Sequence, residues 1–296
     1  MAGEILLNLK GGNKNMIKCF KKAISSVLAA AMLATSFTAM PINTFAATSF
    51  SAAGGWFETL YAEWAGNKSD VTAVSYSGTA SGSLTGDDLT YLVRQDGSNV
   101  RLDIPGLKAG TYNLTVTTNS GTITKDNIKV YEYDRSGYAH YDAHKEGVTG
   151  IGAYNDDGTL KSNSIVLYVT DENKDTVSVT SKDGTTVTGI GNILNSVGAQ
   201  GASKGTYNTN NYILRKLSMD GTPLDVRFIG KVTSPEGLTE YDSVNNGGTE
   251  GDNGHMARMK DASNVTIEGI GYDATIDGWG FHYMCSSAYS QYGYGF

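Results

Sequence analysis

The sequence predicts an all-β fold in two parts: an N-terminal antiparallel β-sandwich, then a parallel β-helix with a short helical cap. Three observations carry that reading. The 296 residues include 37 Gly, 18 Tyr and only 4 Pro, with Thr, Ser, Val and Asn filling much of the rest, a mixture that favours short strands and tight turns. Residues 50–135 hold short alternating runs broken by Gly/Asp/Ser clusters. After Lys161 the apolar runs become continuous and are joined by loops of uneven length instead of two-residue hairpin turns.

Residues 1–46 have the form of a secretory signal, with Met16 read as the start. Lys18, Lys21 and Lys22 form a basic region, Ala23 to Phe37 an apolar one, and Thr44-Phe45-Ala46 supplies the small residues of a cleavage site. The apolar run is shorter than the roughly 20 residues a membrane span requires, so the chain is expected to be secreted and extracellular, with no membrane partner after cleavage following Ala46. Five lysines and one glutamate leave with the signal, so the formal charge moves from −7 to −11. An acidic chain without a basic, aromatic-interleaved run excludes nucleic acid as a partner. Cys19 also leaves, and the lone Cys285 reads as a small buried hydrophobe.

The sandwich is expected over 50–135, from the runs FETLYAEW, LTYLVRQ, VRLDI, TYNLTVTT and NIKVYEY. Trp56, Trp64, Leu92 and Val116 are its expected core, although an exposed tryptophan would instead suit stacking on a sugar ring. Leu107 to Tyr112 reads as a corner pinned by a hydrogen bond from the Tyr112 hydroxyl to the preceding chain. Residues 136–161 read as a linker. Its His140, Asp142 and His144 invite a zinc reading, but the stretch has little helical character, and solvated loop histidines are the preferred account.

Residues 162–296 form the second part. Ile165 to Val169 is a buried strand, and the apolar spacing of Ile190, Ile193, Leu194 and Val197 predicts one short amphipathic helix, placed as the cap. Strands follow at Leu224 to Gly230, Met256 to Met259, Asn264 to Ile270 and Ala274 to Met284, the last two separated by a corner at Gly271-Tyr272-Asp273. Consecutive strands that turn corners instead of reversing are what a parallel β-helix uses, with Val265, Ile267 and Ile276 in its interior. A second antiparallel sandwich is the structural rival. Asp242, Glu250 and Asp252 read as solvated turn carboxylates, and His255 and His282 as packing residues.

Several stretches resemble extracellular bacterial pectate lyases of polysaccharide lyase family 1: Ser162 to Thr170, Pro223 to Val232, Gly254 to Lys260, and above all IEGIG followed by ATIDGWGF within Asn264 to Phe281. The resemblance covers about Gly158 to Phe296 and corresponds to the N-terminal portion of that family. The sandwich is similar to the fibronectin type III-like modules that precede some such lyases.

The resemblance implies a right-handed parallel β-helix in a monomeric enzyme that cleaves polygalacturonate (pectin) by β-elimination. Ca2+ would bridge enzyme and uronate carboxylates and stabilise the enolate-like intermediate, and an arginine would act as base. It also places the calcium aspartates, a WIDH-like segment and the catalytic arginine beyond Phe296. No catalytic, cofactor-binding or metal residue is therefore assigned within this chain, Arg227 and Arg258 are read as structural, and the chain alone is expected to be inactive, with its edge fraying beyond Met284. The alternative is a non-catalytic plant cell-wall glycan-binding or adhesion module that presents tyrosines and tryptophans to sugar.

Overall fold

The computed structural model describes residues 49–136, 150–181, 184–197, 222–238, 255–260, 262 and 264–284. The chain divides into two compact units, Met1–Thr44 and Phe45–Phe296, and every described residue lies in the second. The described chain is β-rich, and its first part consists of antiparallel sheets.

That part contains β1 (Ala52–Trp56), β2 (Thr59–Ala65), β3 (Val71–Gly78), β4 (Gly82–Ser83), α1 (Gly86–Leu92), β5 (Val93–Asp96), β6 (Asn99–Pro105), β7 (Gly110–Thr118) and β8 (Gly121–Val130). One antiparallel sheet runs β1-β2-β6-β5 and the other β4-β3-β7-β8. Strict alternation along each strand drives their packing. Leu60, Ala62 and Trp64 of β2 and Val100, Leu102 and Ile104 of β6 meet Tyr112, Leu114 and Val116 of β7 in one core. Tyr112 donates its hydroxyl hydrogen to the Lys108 carbonyl at 2.7 Å, the corner bond the sequence predicts.

Two expectations fail here. LTYLVRQ is not one strand: Gly86 to Leu92 is helical, and only Val93 to Asp96 is extended. Asp87 and Asp88 sit in the first turn, where carboxylates complement the helix dipole, and the helix tucks Leu92 into the sandwich core. Trp56 is not a core residue. Trp64, Leu92 and Val116 are buried, whereas Trp56 is 64% exposed. The cause is a close approach of two strands, since β1 crosses so near β8 that a Cβ on Gly55 would lie 2.0 Å from the Lys129 carbonyl oxygen. Glycine therefore takes the inward position, and alternation turns the next side chain, Trp56, outward.

The expected linker is also more ordered than its composition implies. Its described portion, Gly150 to Lys161, closes on itself through the bridges Ile151↔Tyr154 and Tyr154↔Leu160. Its Ala153 amide donates to Thr266 Oγ1 at 2.9 Å, which fastens the loop to the second part of the fold.

The second part comprises β9 (Ile165–Val169), the short hairpin β10 (Ser178–Thr180) and β11 (Thr186–Thr188), α2 (Ile190–Ser196), β12 (Leu224–Thr233), β13 (Met256–Lys260), β14 (Val265–Asp277) and β15 (Gly280–Met284). Two small parallel sheets run β14-β12-β9 and β13-β15. From β12 onward the described strands alternate between them. Leu224, Val226 and Phe228 of β12 and Val265 of β14 share a core with Ala257 and Met259 of β13. Ile190, Ile193 and Leu194 of α2 enter the same core, as their spacing predicts. A seven-residue helix has little stability of its own, whereas each of those burials contributes about 1.5–3 kcal/mol, so packing holds α2 in place.

The corner expected at Gly271-Tyr272-Asp273 is not one. β14 runs unbroken past it, pairing Ile270 with Ile229 and then Thr275 with Lys231, so Gly271 to Ala274 bulge out opposite Gly230. The bulge is retained because Tyr272 and Asp273 reach Asp96 and Arg94 of the sandwich. The turn to the other sheet comes instead at Gly278 (φ 80°), and Trp279 fixes it by donating from Nε1 to the Val232 carbonyl at 3.2 Å.

Candidate functional site

All six residues Leu224 to Ile229 are buried, a pattern that requires cover on both faces of the sheet. One face is apolar. The other carries Asp225 and Arg227, and it lies against the 150–161 loop and the sandwich.

There Arg227 is the hub of a buried network. Its Nε donates to Asp225 Oδ2 (2.8 Å) and Glu268 Oε1 (2.9 Å), its Nη1 to the Tyr168 hydroxyl (2.8 Å), and its Nη2 to the Tyr154 hydroxyl (3.0 Å). Each tyrosine passes the charge on. Tyr154 donates to Glu268 Oε1 at 2.6 Å, and Tyr168 donates to Asp88 Oδ1 of the sandwich helix at 2.6 Å. Two carboxylates thus share one guanidinium in a site nearly closed to water, and Asp225 Oδ1 has no hydrogen-bond partner. Burial, and then the Glu268 carboxylate, push the Asp225 carboxyl up to about 7. Burial and the neighbouring carboxylates likewise raise the Tyr154 hydroxyl far above the ordinary phenol range, so it stays a neutral donor.

A second network joins the sandwich to the β14 bulge. Arg94 Nη2 donates to Asp103 Oδ2 and to Asp273 Oδ1, both at 2.8 Å. Arg101 donates to both oxygens of Asp103 (2.9 and 2.7 Å) and to Glu63 Oε1 (2.7 Å), while its guanidinium lies over the rings of Tyr61 (4.6 Å) and Tyr272 (5.2 Å). The Tyr272 hydroxyl donates to Asp96.

Between the sandwich and the outer face of β14 the surface opens into two adjoining grooves. The larger, about 570 Å³, is lined by Trp56, Tyr61, Arg101, Glu268 and Tyr272 among others. The smaller, about 410 Å³, includes Phe57, Glu58, Tyr133, Arg135 and Tyr154. Glu268, with its side chain 25% exposed, lines both, whereas Asp225 is fully buried. The carboxylate pair therefore has only one member that a solute can reach. The arrangement suits binding at the grooves and clamping beneath them, not proton transfer by two exposed acids.

Among the residues the sequence singles out, Arg227 lies at the centre of the clamp, in keeping with a structural role. Arg258 is half-buried on β13, and its amide donates to Asn195 Oδ1 of α2 at 2.6 Å. His255 is exposed and His282 half-buried, and neither lines the grooves. His140, Asp142, His144, Asp242, Glu250, Asp252 and Cys285 lie outside the described residues. Sequence reasoning missed Asp225, Glu268, Arg94 and Asp273. For Asp225 and Glu268 the signal was a charged residue at an alternate position of an otherwise apolar strand, as in LDVRFIG and VTIEGIG, which marks a covered polar contact, whereas Arg94 and Asp273 carried no such signal.

Calcium does not fit this site. Asp225 and Glu268 converge on a guanidinium, so a hard cation there would sit against a positive charge, and among the described residues no group of three His, Cys, Asp or Glu is placed to hold a metal. No helix among the described residues is long and apolar enough to cross a membrane. Neither protein-family models nor curated proteins match the chain.

Proposed function

We propose that this chain is part of a secreted protein similar to the pectate lyases of polysaccharide lyase family 1. It would supply a fibronectin type III-like module and the first coils of a right-handed parallel β-helix capped by α2. The observation that supports this reading is the alternation of β12, β13, β14 and β15 between two parallel sheets around one core, because successive coils of a β-helix would stack in that register. The IEGIG and ATIDGWGF phrases that carry the resemblance fall on β14 and β15.

On this reading the substrate is polygalacturonate and the reaction β-elimination, with Ca2+ lowering the charge on the uronate whose C5 proton is removed. The described residues supply scaffold, and none is assigned to calcium or to the proton transfer. The secreted gene product, incubated with polygalacturonate and calcium, should show the rise in ultraviolet absorbance of an unsaturated product. Absence of that product from both polygalacturonate and methylated pectin with the gene product would overturn the assignment.

A further inference from the structure

Four of the five large hydrophobic side chains that stand exposed among the described residues line the two grooves: Trp56 (64%) and Tyr272 (67%) the larger, Phe57 (45%) and Tyr133 (49%) the smaller. Rings left in water over a contiguous surface mark a binding site more often than chance. These rings are also ordered. Trp56 meets Phe57 edge to face at 5.3 Å, Phe57 meets Tyr133 at 6.0 Å, and Tyr272 is braced from one side by the Arg101 guanidinium. A platform held in this way loses little freedom when a ligand lands on it.

The polar groups between the rings define the ligand. Arg101 is already committed to Asp103 and Glu63, and Arg135 is committed to Glu58 through two bonds of 2.5 and 2.7 Å. The charge of each arginine in the grooves is therefore already matched by carboxylates. Counting the groups just beneath the surface, Arg94 and Arg227 join these two arginines, but Glu63, Asp96 and Asp273 join the lining carboxylates Glu58, Asp103 and Glu268, so carboxylates still outnumber guanidiniums. A polyuronate would meet net negative charge, whereas the hydroxyls of an uncharged sugar would find acceptors and its C–H faces would find rings. The volumes fall within the roughly 300–1,000 Å³ usual for small-ligand sites.

We propose that the grooves between the sandwich and β14 bind a neutral polysaccharide chain, with Trp56 and Tyr272 as the stacking platforms and Glu268 as a hydroxyl acceptor. This goes beyond the lyase reading and does not depend on it, because the ligand class differs and retention, not product, is scored.

The test is affinity gel electrophoresis of the full chain in soluble xyloglucan, in galactan and in polygalacturonate without calcium. Retardation by at least one neutral polymer is expected, and Trp56→Ala and Tyr272→Ala should each weaken it about tenfold. Tyr131→Ala, which removes an exposed ring that lines neither groove, should leave it unchanged. Trp64 and Trp279 are buried, so a change in tryptophan emission on titrating the neutral polymer should also disappear in Trp56→Phe, which keeps an aromatic ring and guards against simple unfolding. Any of three results would overturn the proposal: no retardation by either neutral polymer, retardation untouched by both alanine variants, or stronger retention by polygalacturonate than by the neutral chains.

Discussion

Arg94 on the sandwich and Asp273 on the parallel sheet, 179 residues apart in sequence, are joined by two hydrogen bonds of 2.8 and 3.3 Å. Arg94 is buried and also bonds Asp103, so the pair ties the β14 bulge to the centre of the sandwich face. Asp273→Ala should cost about 1–3 kcal/mol, because a charged hydrogen bond is lost while Asp103 still pairs the arginine. A double-mutant cycle with Arg94→Met, read by urea denaturation, should give a coupling above about 0.5 kcal/mol. Additive effects would show that the bulge docks without this pair.

Gly271 makes that docking possible. Its φ of 82° suits glycine, and a Cβ there would lie 2.1 Å from Arg94 Nη2 and 2.8 Å from Asp273 Oδ1. Gly271→Ala should therefore destabilise by about 1–3 kcal/mol and expose the bulge to limited proteolysis before the sandwich. Wild-type resistance to protease in this variant would refute the close approach.

The Arg227 cluster predicts a pH dependence. With its carboxyl raised to about 7, folded Asp225 holds a proton that the unfolded chain releases near the usual carboxylate value of about 4. Its contribution to stability is thus fully present below about pH 4 and is lost as pH rises to about 7. Arg227, Glu268, Tyr154, Tyr168 and Asp88 surround the group, and Asp225→Asn mimics its neutral form without disturbing their shape. The variant should show a flatter melting temperature between about pH 4 and about pH 8 and melt higher at the upper end, by about 2–4 °C per kcal/mol recovered. An unchanged slope would assign the titration to another group.

The Tyr112 corner can be probed by one atom. Tyr112→Phe deletes the bond to Lys108 and keeps the buried ring, so the loss should be about 0.5–1.5 kcal/mol at unchanged denaturant slope. A neutral result would mean that ring packing alone sets the turn.

Removing the α2 plug should be more severe. Leu194 is fully buried, and Leu194→Ala should cost about 2–5 kcal/mol, read as earlier thermal loss of the parallel sheets. A cost below about 1 kcal/mol would show that the helix is peripheral to the core it enters.

Much of this was legible in the residues themselves. Alternation placed Trp64 and Val116 inside the sandwich, though it placed Trp56 there as well, and the 3.6-residue period placed Ile190, Ile193 and Leu194 on one face of a helix. Both patterns are local, since they depend only on which side of a strand or helix a side chain leaves. The Tyr112 corner was legible for the same reason, with donor and acceptor four residues apart.

The groove was not legible, because each of its parts depends on chain brought from elsewhere. Trp56 faces outward because the β8 backbone crowds Gly55, Tyr272 leaves its sheet because Arg94 and Asp96 hold the bulge, and Glu268 and Asp225 share an arginine because β12 and β14 pair in one register. By itself the sequence determined the strand-rich character, the two cores and the short helix, since burying apolar faces at fixed periods leaves few other arrangements. Only the tertiary structure decided which charged residues pair and which rings stay in water, because those outcomes depend on segments brought together from 41 to 179 residues apart in sequence.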